Sequence, residues 1–355
     1  MSPPVQSDIA IKSTSSPASH LAALLQGTGV SRLDRMGWIR VTGEDRVRWL
    51  NGMVTNSIQD LQSGHGAYSF LLNVQGRIQG DATIFAQPDA LIIETDSSQV
   101  PGMMTLLDRF IIMDDVELAD LTKQRSGLLV AGPQAASLLA TIGLGIGDLG
   151  MLEMRVISWS GTPISVFHRH SPLVPQYELW ADSEVVGKLA DALQSVGAVC
   201  CDPQSLEWLR ILEGTPLFGT DIRDRDLPQE TGQTRALHFA KGCYLGQEIV
   251  ERIRSRGSVH RTFSAFRLDG DLPAAGAQLE ADGKPVGELT SVAAIPLPGG
   301  NGNTIQLGLG YIRRETLDRG AAVLFSGGVA VPVSLPFSLA APSASLPASQ
   351  SSARI

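Results

Sequence analysis

The feature that most constrains the fold of this 355-residue chain is a change of texture at Arg261. Before it, apolar runs with the strand period of two alternate irregularly with runs of the helical period. After it, short strand-like runs follow one another with turn signals between them, and no helix of length is expected. The second stretch reads Arg261–Leu268, Gln278–Ala281, Pro285–Ala294, Pro298–Asn303, Ile305–Ile312 and Ala321–Pro332, with Asp282-Gly283 as a hairpin turn. This pattern predicts a small β-barrel over 261–338. Gly299-Gly300-Asn301-Gly302-Asn303 lacks the strand-before, helix-after setting of a phosphate loop and reads as a hairpin tip.

The region before Arg261 predicts helices over His20–Gln26, from Gly43-Glu44-Asp45 onward, over Ser97–Phe110 with a break at Pro101-Gly102, and over Pro133–Ala140, Ser183–Val196 and Pro203–Glu213. Strands are expected at Trp38–Val41, Tyr68–Val74, Arg77–Ala86, Ala90–Thr95, Leu128–Ala131, Met154–Trp159, Pro163–Phe167 and Tyr177–Trp180. There is no regular βα alternation, so the fold class is α+β, with two interleaved subdomains over 21–260. Residues 1–20 and 339–355 are rich in Ser, Pro and Ala and read as disordered tails.

With 43% hydrophobic and 18% charged residues, this is an ordinary globular composition. No apolar run reaches eighteen residues, so no membrane association is expected. Residues 1–20 lack the apolar core of a secretory signal and the arginines of a transit peptide. The net charge of −8 argues against stable nucleic-acid binding. Yet Lys241, Arg252, Arg254, Arg256, Arg261 and Arg267 outnumber Glu248 and Glu251 in one stretch, which leaves that strip basic. It reads either as a site for an anionic ligand or partner, or as a solvated helix face with a Glu248–Arg252 pair. Only Cys200, Cys201 and Cys243 occur. They have no metal-ligand spacing and cannot build a disulfide framework, so a reducing cytoplasm is expected.

One of those cysteines stands in Lys241-Gly242-Cys243-Tyr244-Leu245-Gly246-Gln247-Glu248. A nearby cation and a helix starting near Leu245 would favour the thiolate of Cys243, and the glycines would let the backbone approach a ligand. Glu213 ends a helix before the Gly214–Pro216 turn, where its carboxylate can accept two hydrogen bonds from a flat heterocycle such as a pterin. Asp81 follows Gly80 inside a strand; local evidence alone favours a solvent-facing side chain. His168 and His170 share a strand face, but no third ligand is evident, so no metal site is expected.

The octapeptide closely resembles the K-G-C-[YF]-x-G-Q-E signature of the YgfZ-type folate-binding proteins, relatives of the glycine-cleavage T-protein. The resemblance continues through Tyr68-Ser69-Phe70, Leu212-Glu213-Gly214, Gly219-Thr220-Asp221, Pro228-Gln229-Glu230 and Gly287-Glu288-Leu289-Thr290-Ser291, and so spans about residues 21 to 338. It implies a cloverleaf of domains around a central cavity that holds tetrahydrofolate. In that frame Glu213 matches the pterin-binding glutamate, Arg210 the arginine of the same helix, and Asp81 one of a pair of acidic residues serving one-carbon chemistry. Tyr244 and Gln247 are expected beside the cofactor. Two departures stand out: Gly80 replaces the first acid of the pair, and T-proteins lack the motif cysteine. Both point away from aminomethyl transfer. The YgfZ-type relatives are implicated in assembly or repair of iron–sulfur clusters, including those of tRNA-modifying enzymes. The resemblance therefore implies Cys243 as functional thiol, Lys241 as its activator, and iron–sulfur client proteins as partners. The alternatives are a tetrahydrofolate-dependent aminomethyltransferase or demethylase, and an RNA-binding module suggested by the basic strip alone.

Overall fold

The computed structural model describes residues 16–257, 259–297 and 302–339. Helix α1 (Pro17–Gln26) leads into β1 (Gly29–Arg32), β2 (Met36–Thr42) and the short α2 (Arg46–Asn51). Then come β3 (Gly66–Leu72), β4 (Ile78–Ala86), β5 (Leu91–Asp96), α3 (Val100–Asp108) and β6 (Glu117–Asp120). The next stretch holds β7 (Ser126–Ala131), α4 (Ala135–Thr141), β8 (Met154–Trp159), β9 (Thr162–Arg169), β10 (Gln176–Ala181), α5 (Ser183–Ser195), β11 (Val199–Cys200) and α6 (Pro203–Glu213). Two 3-10 turns, Pro228–Thr231 and Thr234–Ala236, precede α7 (Gln247–Arg256). The remainder is β12 (Arg261–Gly270), β13 (Gln278–Ala281), β14 (Lys284–Pro296), β15 (Thr304–Arg313), α8 (Arg314–Asp318), β16 (Val323–Phe325) and β17 (Gly328–Val333).

These strands make two mixed-order sheets and a closed barrel. One sheet runs β3-β4-β5-β2-β6, the other β11-β1-β7-β10-β9-β8, and the barrel closes as β12-β15-β14-β13-β16-β17. The α+β class holds. Because β1 joins the second sheet and β2 the first, the two halves are interleaved by the chain itself. Their faces meet in an aromatic cluster of Trp38 and Phe85 from one sheet and Phe167 and Trp180 from the other, with ring centroids 4.7–5.8 Å apart. Such pairs add to the apolar burial that joins the layers.

Several boundaries move, each for a local reason. Helix α1 begins at Pro17, capped by the Ser16 hydroxyl, so residues 17–20 are helical rather than tail. Helix α3 is not broken at Pro101-Gly102, because Pro101 falls in the first turn, where no N–H is required. The run 321–332 divides into β16 and β17 at Gly327, whose φ of 102° turns the chain. At Asp282-Gly283 both residues take positive φ, 51° and 71°, and close the expected hairpin of β13 and β14. Residues 1–15 and 340–355, read as tails, and 298–301, read as part of a strand and hairpin tip, lie outside the described residues. No helix among the described residues is long and apolar enough to cross a membrane.

Candidate functional site

A cavity of about 420 Å³ opens where the two sheets meet α6 and the segment 215–235. That size suits a small organic ligand. Helix α6 builds one wall. Asp202 caps its start by accepting from the Ser205 N–H, and Gly214, at φ 69°, ends it. Leu209, Ile211 and Leu212 are buried in the core, which leaves Glu213 at the helix end against the cavity, 8% exposed. The Ser171 hydroxyl and Gln176 Nε2, the latter at 2.9 Å, both donate to Glu213 Oε1. No side chain among the described residues donates to Oε2. Burial raises the Glu213 pKa, opposed by the Ser171 donor, the Arg169 charge, the Gln176 donor and a backbone hydrogen bond from Leu173.

The opposite wall is the β3–β4 pair. Its register sets Phe70 across from Asp81 and Tyr68 across from Thr83, so Tyr68 and Asp81 are diagonal neighbours on one face. The Tyr68 hydroxyl donates to Asp81 Oδ2 at 2.7 Å, and Gln99 Nε2 donates to Oδ1 at 2.9 Å. Asp81 therefore lines the cavity and does not face solvent, contrary to its local reading. Burial raises its pKa and holds the Tyr68 phenol well above the ordinary value, so Tyr68 keeps the proton that it donates. The Arg235 guanidinium lies 4.0 Å above the Tyr68 ring.

Between these walls run two strands with charges inside apolar runs. Glu178, 1% exposed on β10, accepts from Arg169 at 2.8 Å and from the Trp180 indole at 3.3 Å. Glu94 on β5 is 5% exposed beside it; burial, then the Glu178 charge, raises its pKa well above the ordinary range. Arg169, Arg235, His170, Gln176 and Glu94 all line the cavity, and sequence reasoning named none of them except His170, as a metal candidate. A readable signal existed: a charge within an apolar strand, as in Leu91-Ile92-Ile93-Glu94, has to face a cavity or a partner.

The octapeptide backs this cavity without lining it. Lys241 Nζ donates to the carbonyls of Asn51, Val54 and Asn56 at 2.6, 2.7 and 2.7 Å. All three of its protons are thereby used, so only its field, not a hydrogen bond, can act on a thiol. Tyr244 is buried with Tyr68, Phe70 and Ile222, and Gln247 Oε1 accepts from the Tyr244 N–H at 3.2 Å. Gly246, at φ 80°, approaches the β3–β4 turn so closely that a Cβ would stand 2.6 Å from the Asn73 carbonyl. The close approach expected of this glycine is thus to protein. Helix α7 starts at Gln247, past Leu245, and Cys243 is exposed upstream of it.

Arg210 lines the same cavity, but its guanidinium is held elsewhere. It pairs with Asp221 at 2.7 Å and Glu207 at 2.6 Å, and donates to Ser291 at 2.8 Å. The basic strip is divided: Arg261 pairs with Asp226 and Glu230, Arg254 with Glu251, and Arg267 with Asp269, while no Glu248–Arg252 pair forms among the described residues. His168 bonds the Leu149 carbonyl and packs on Tyr177, whereas His170 faces the cavity. No group of three His, Cys, Asp or Glu able to hold a metal assembles among the described residues.

Fold and cavity together define a class: two interleaved sheets, one antiparallel and one mixed, enclosing a cavity, followed by a closed six-stranded barrel. Residues 13–241 match the GCVT N-terminal domain family and residues 261–340 the CAF17 C-terminal β-barrel domain, and the chain belongs to the GCVT family. It is 26% identical over 322 residues to a chloroplastic transferase of Arabidopsis thaliana, covering 90% of this chain and 73% of that protein. It is 26% identical over 292 residues to an aminomethyltransferase of a Nostoc species, covering 78% and 76%. The crystal structure of glycine cleavage system aminomethyltransferase T from Bartonella henselae superposes with a TM-score of 0.80 at 20% identity, covering 91% of this chain and 90% of that one. The fold is therefore aminomethyltransferase-like, as expected from the octapeptide and its companions.

Proposed function

We propose that this protein binds a reduced folate in the central cavity and serves iron–sulfur enzymes as an accessory factor, with Cys243 as its working thiol. The observation that carries the folate half is Glu213: a buried carboxylate with two side-chain donors on Oε1 and, among the described residues, none from a side chain on Oε2, facing a cavity of about 420 Å³. A pterin edge presents paired N–H donors, which a carboxylate accepts well. Glu213 and Gln176 would hold that edge, with the apolar walls around Leu129 and Phe167 against the ring. When bound, a reduced folate carries the one-carbon unit; the chain's own part is to orient it and exclude water.

The iron–sulfur half rests on the resemblance of the octapeptide to the YgfZ-type signature and on an exposed thiol in a loop where a partner can reach it. The thiol acts at the surface, apart from the cavity. Three free cysteines and no disulfide suit a reducing compartment, with the cytoplasm the proposed one. Glu213→Gln is expected to weaken tetrahydrofolate binding in calorimetry by about tenfold or more. Cys243→Ser should bind folate normally yet fail to restore cluster-dependent enzyme activity in cells lacking their own family member. Unchanged folate affinity in the first variant, or full rescue by the second, refutes the corresponding half.

The buried Tyr68–Asp81 pair favours a second reading, a tetrahydrofolate-dependent aminomethyltransferase. Formation of methylenetetrahydrofolate from an aminomethyl-lipoyl carrier by the purified protein, abolished in Asp81→Asn, would establish it in place of the accessory role.

A further inference from the structure

Arg235 is a half-buried cation that feels the Asp81 charge but forms no ion pair among the described residues. Its Nε donates to Gln233 Oε1 at 3.1 Å and its plane stacks on Tyr68. Asp81, the acid on the same wall, already accepts from Tyr68 and Gln99. The other arginines that meet the cavity near α6 and β9 are neutralised, Arg169 by Glu178 and Arg210 by Asp221 and Glu207. His170 lines the same space, and its Nδ1 is buried with no hydrogen-bond partner. A desolvated cation and an orphaned ring nitrogen on one cavity are costly in an empty protein and are relieved by an anion.

We propose that the Arg235–His170 corner is a carboxylate subsite, separate from Glu213, that takes either the glutamate tail of a bound folate or a small carboxylic acid lying beside Tyr68 and Asp81. The first source rests on the folate reading above; the second does not. A guanidinium plane fixed by stacking offers two parallel N–H donors that match a carboxylate. Burial and the charges of Arg235 and Arg169 hold the His170 ring down to about 4, so it is neutral and supplies a single N–H in one tautomer. Tyr68 cannot serve as the donor, since its hydroxyl is committed to Asp81.

The test is calorimetric titration of the full chain and its Arg235→Gln, Arg235→Lys and Glu213→Gln variants. The ligands are 6-methyltetrahydropterin, which has no carboxylate, tetrahydrofolate, and glycine added in the presence of the pterin. If the tail is the source, tetrahydrofolate binds about tenfold or more tightly than the tailless pterin. Arg235→Gln then closes that gap without changing pterin affinity, and Arg235→Lys keeps part of it. If a separate acid is the source, the two pterins bind alike, and glycine binds saturably to the wild type but not to Arg235→Gln. The proposal is overturned if wild type shows neither a tail advantage nor glycine binding. It is equally overturned if Arg235→Gln changes nothing, or weakens the tailless pterin as much as tetrahydrofolate. Failure of the tailless pterin to bind wild type overturns the folate reading instead, and the glycine arm run without pterin then decides the subsite.

Discussion

Lys241 directs its three ammonium protons at carbonyls at and just past the end of α2, those of Asn51, Val54 and Asn56. Those carbonyls have no partner within the helix, and a cation there also meets the negative end of the helix dipole. Asn56 in turn donates from Nδ2 to the carbonyls of Tyr68 and Arg235, at 2.8 and 2.9 Å. The first residue of the octapeptide thus holds the backbone that carries two cavity side chains. Lys241→Met should lower unfolding stability by about 2–4 kcal/mol, read as a reduced urea midpoint. Burial draws the Lys241 pKa down to about 8, so the wild type still holds its charge at pH 7. An unchanged midpoint would return Lys241 to the role of thiol activator. At this scale the sequence named Glu213, Arg210 and Asp81, which the structure brings to one cavity, but not the partners that each of them takes. Glu213 was legible because a carboxylate before a Gly/Pro turn has few apolar alternatives. Lys241 was misleading because its partners lie more than 180 positions away in the chain and are backbone atoms, which leave no mark on side-chain patterns.

The junction of α6 with the barrel turns on Asp221, which is fully buried. It accepts from Arg210, from the Leu217 N–H at 2.9 Å, from Ser291 at 2.8 Å and from Thr290. Thr290 and Ser291 belong to β14, so one carboxylate joins the helix that carries Glu213 to the barrel. The barrel's tail reinforces it: the Phe337 N–H donates to the Leu212 carbonyl at 2.7 Å, and Leu335 fills the space that a Cβ at Gly214 would need. Arg210→Met would strand Asp221 as a buried, uncompensated charge. The expected loss is about 3–5 kcal/mol in denaturant unfolding, larger than its direct effect on folate affinity in molecules that remain folded. A variant that stays as stable as wild type but loses folate would mean that Arg210 contacts the ligand. Elements themselves were legible wherever period and turn chemistry agreed, as at Asp282-Gly283. The Thr-Ser pair of β14 was visible only as part of a family pattern, since its partner Asp221 lies in an irregular loop with no period to read.

Across the whole molecule, the two sheets are joined by the Trp38, Phe85, Phe167 and Trp180 cluster and, beside it, by two carboxyl groups. Glu94 comes from β5 in one sheet and Glu178 from β10 in the other. Two bare carboxylates at that distance from water would repel, so one retains a proton, and Glu94 is the group whose pKa stands well above its ordinary value. In the unfolded chain Glu94 loses its proton near pH 4.5; in the folded chain it keeps it much higher. The folded state therefore binds more protons in that interval, and its stability falls as pH rises from about 4.5 toward the folded pKa, by about 1.4 kcal/mol per pH unit from this group. Asp81 and Glu213 shift in the same direction and add to the trend, but they cancel in a comparison with a variant that leaves them untouched. Glu94→Gln keeps an N–H donor for Glu178 and removes the titration. Urea unfolding at pH 5, 7 and 9 should show the variant gaining on wild type as pH rises, with the gain levelling off once Glu94 ionises in the folded protein. A difference that stays constant across that range would mean that Glu94 carries no proton, and that the charge of Arg169 alone lets both carboxylates lie between the sheets.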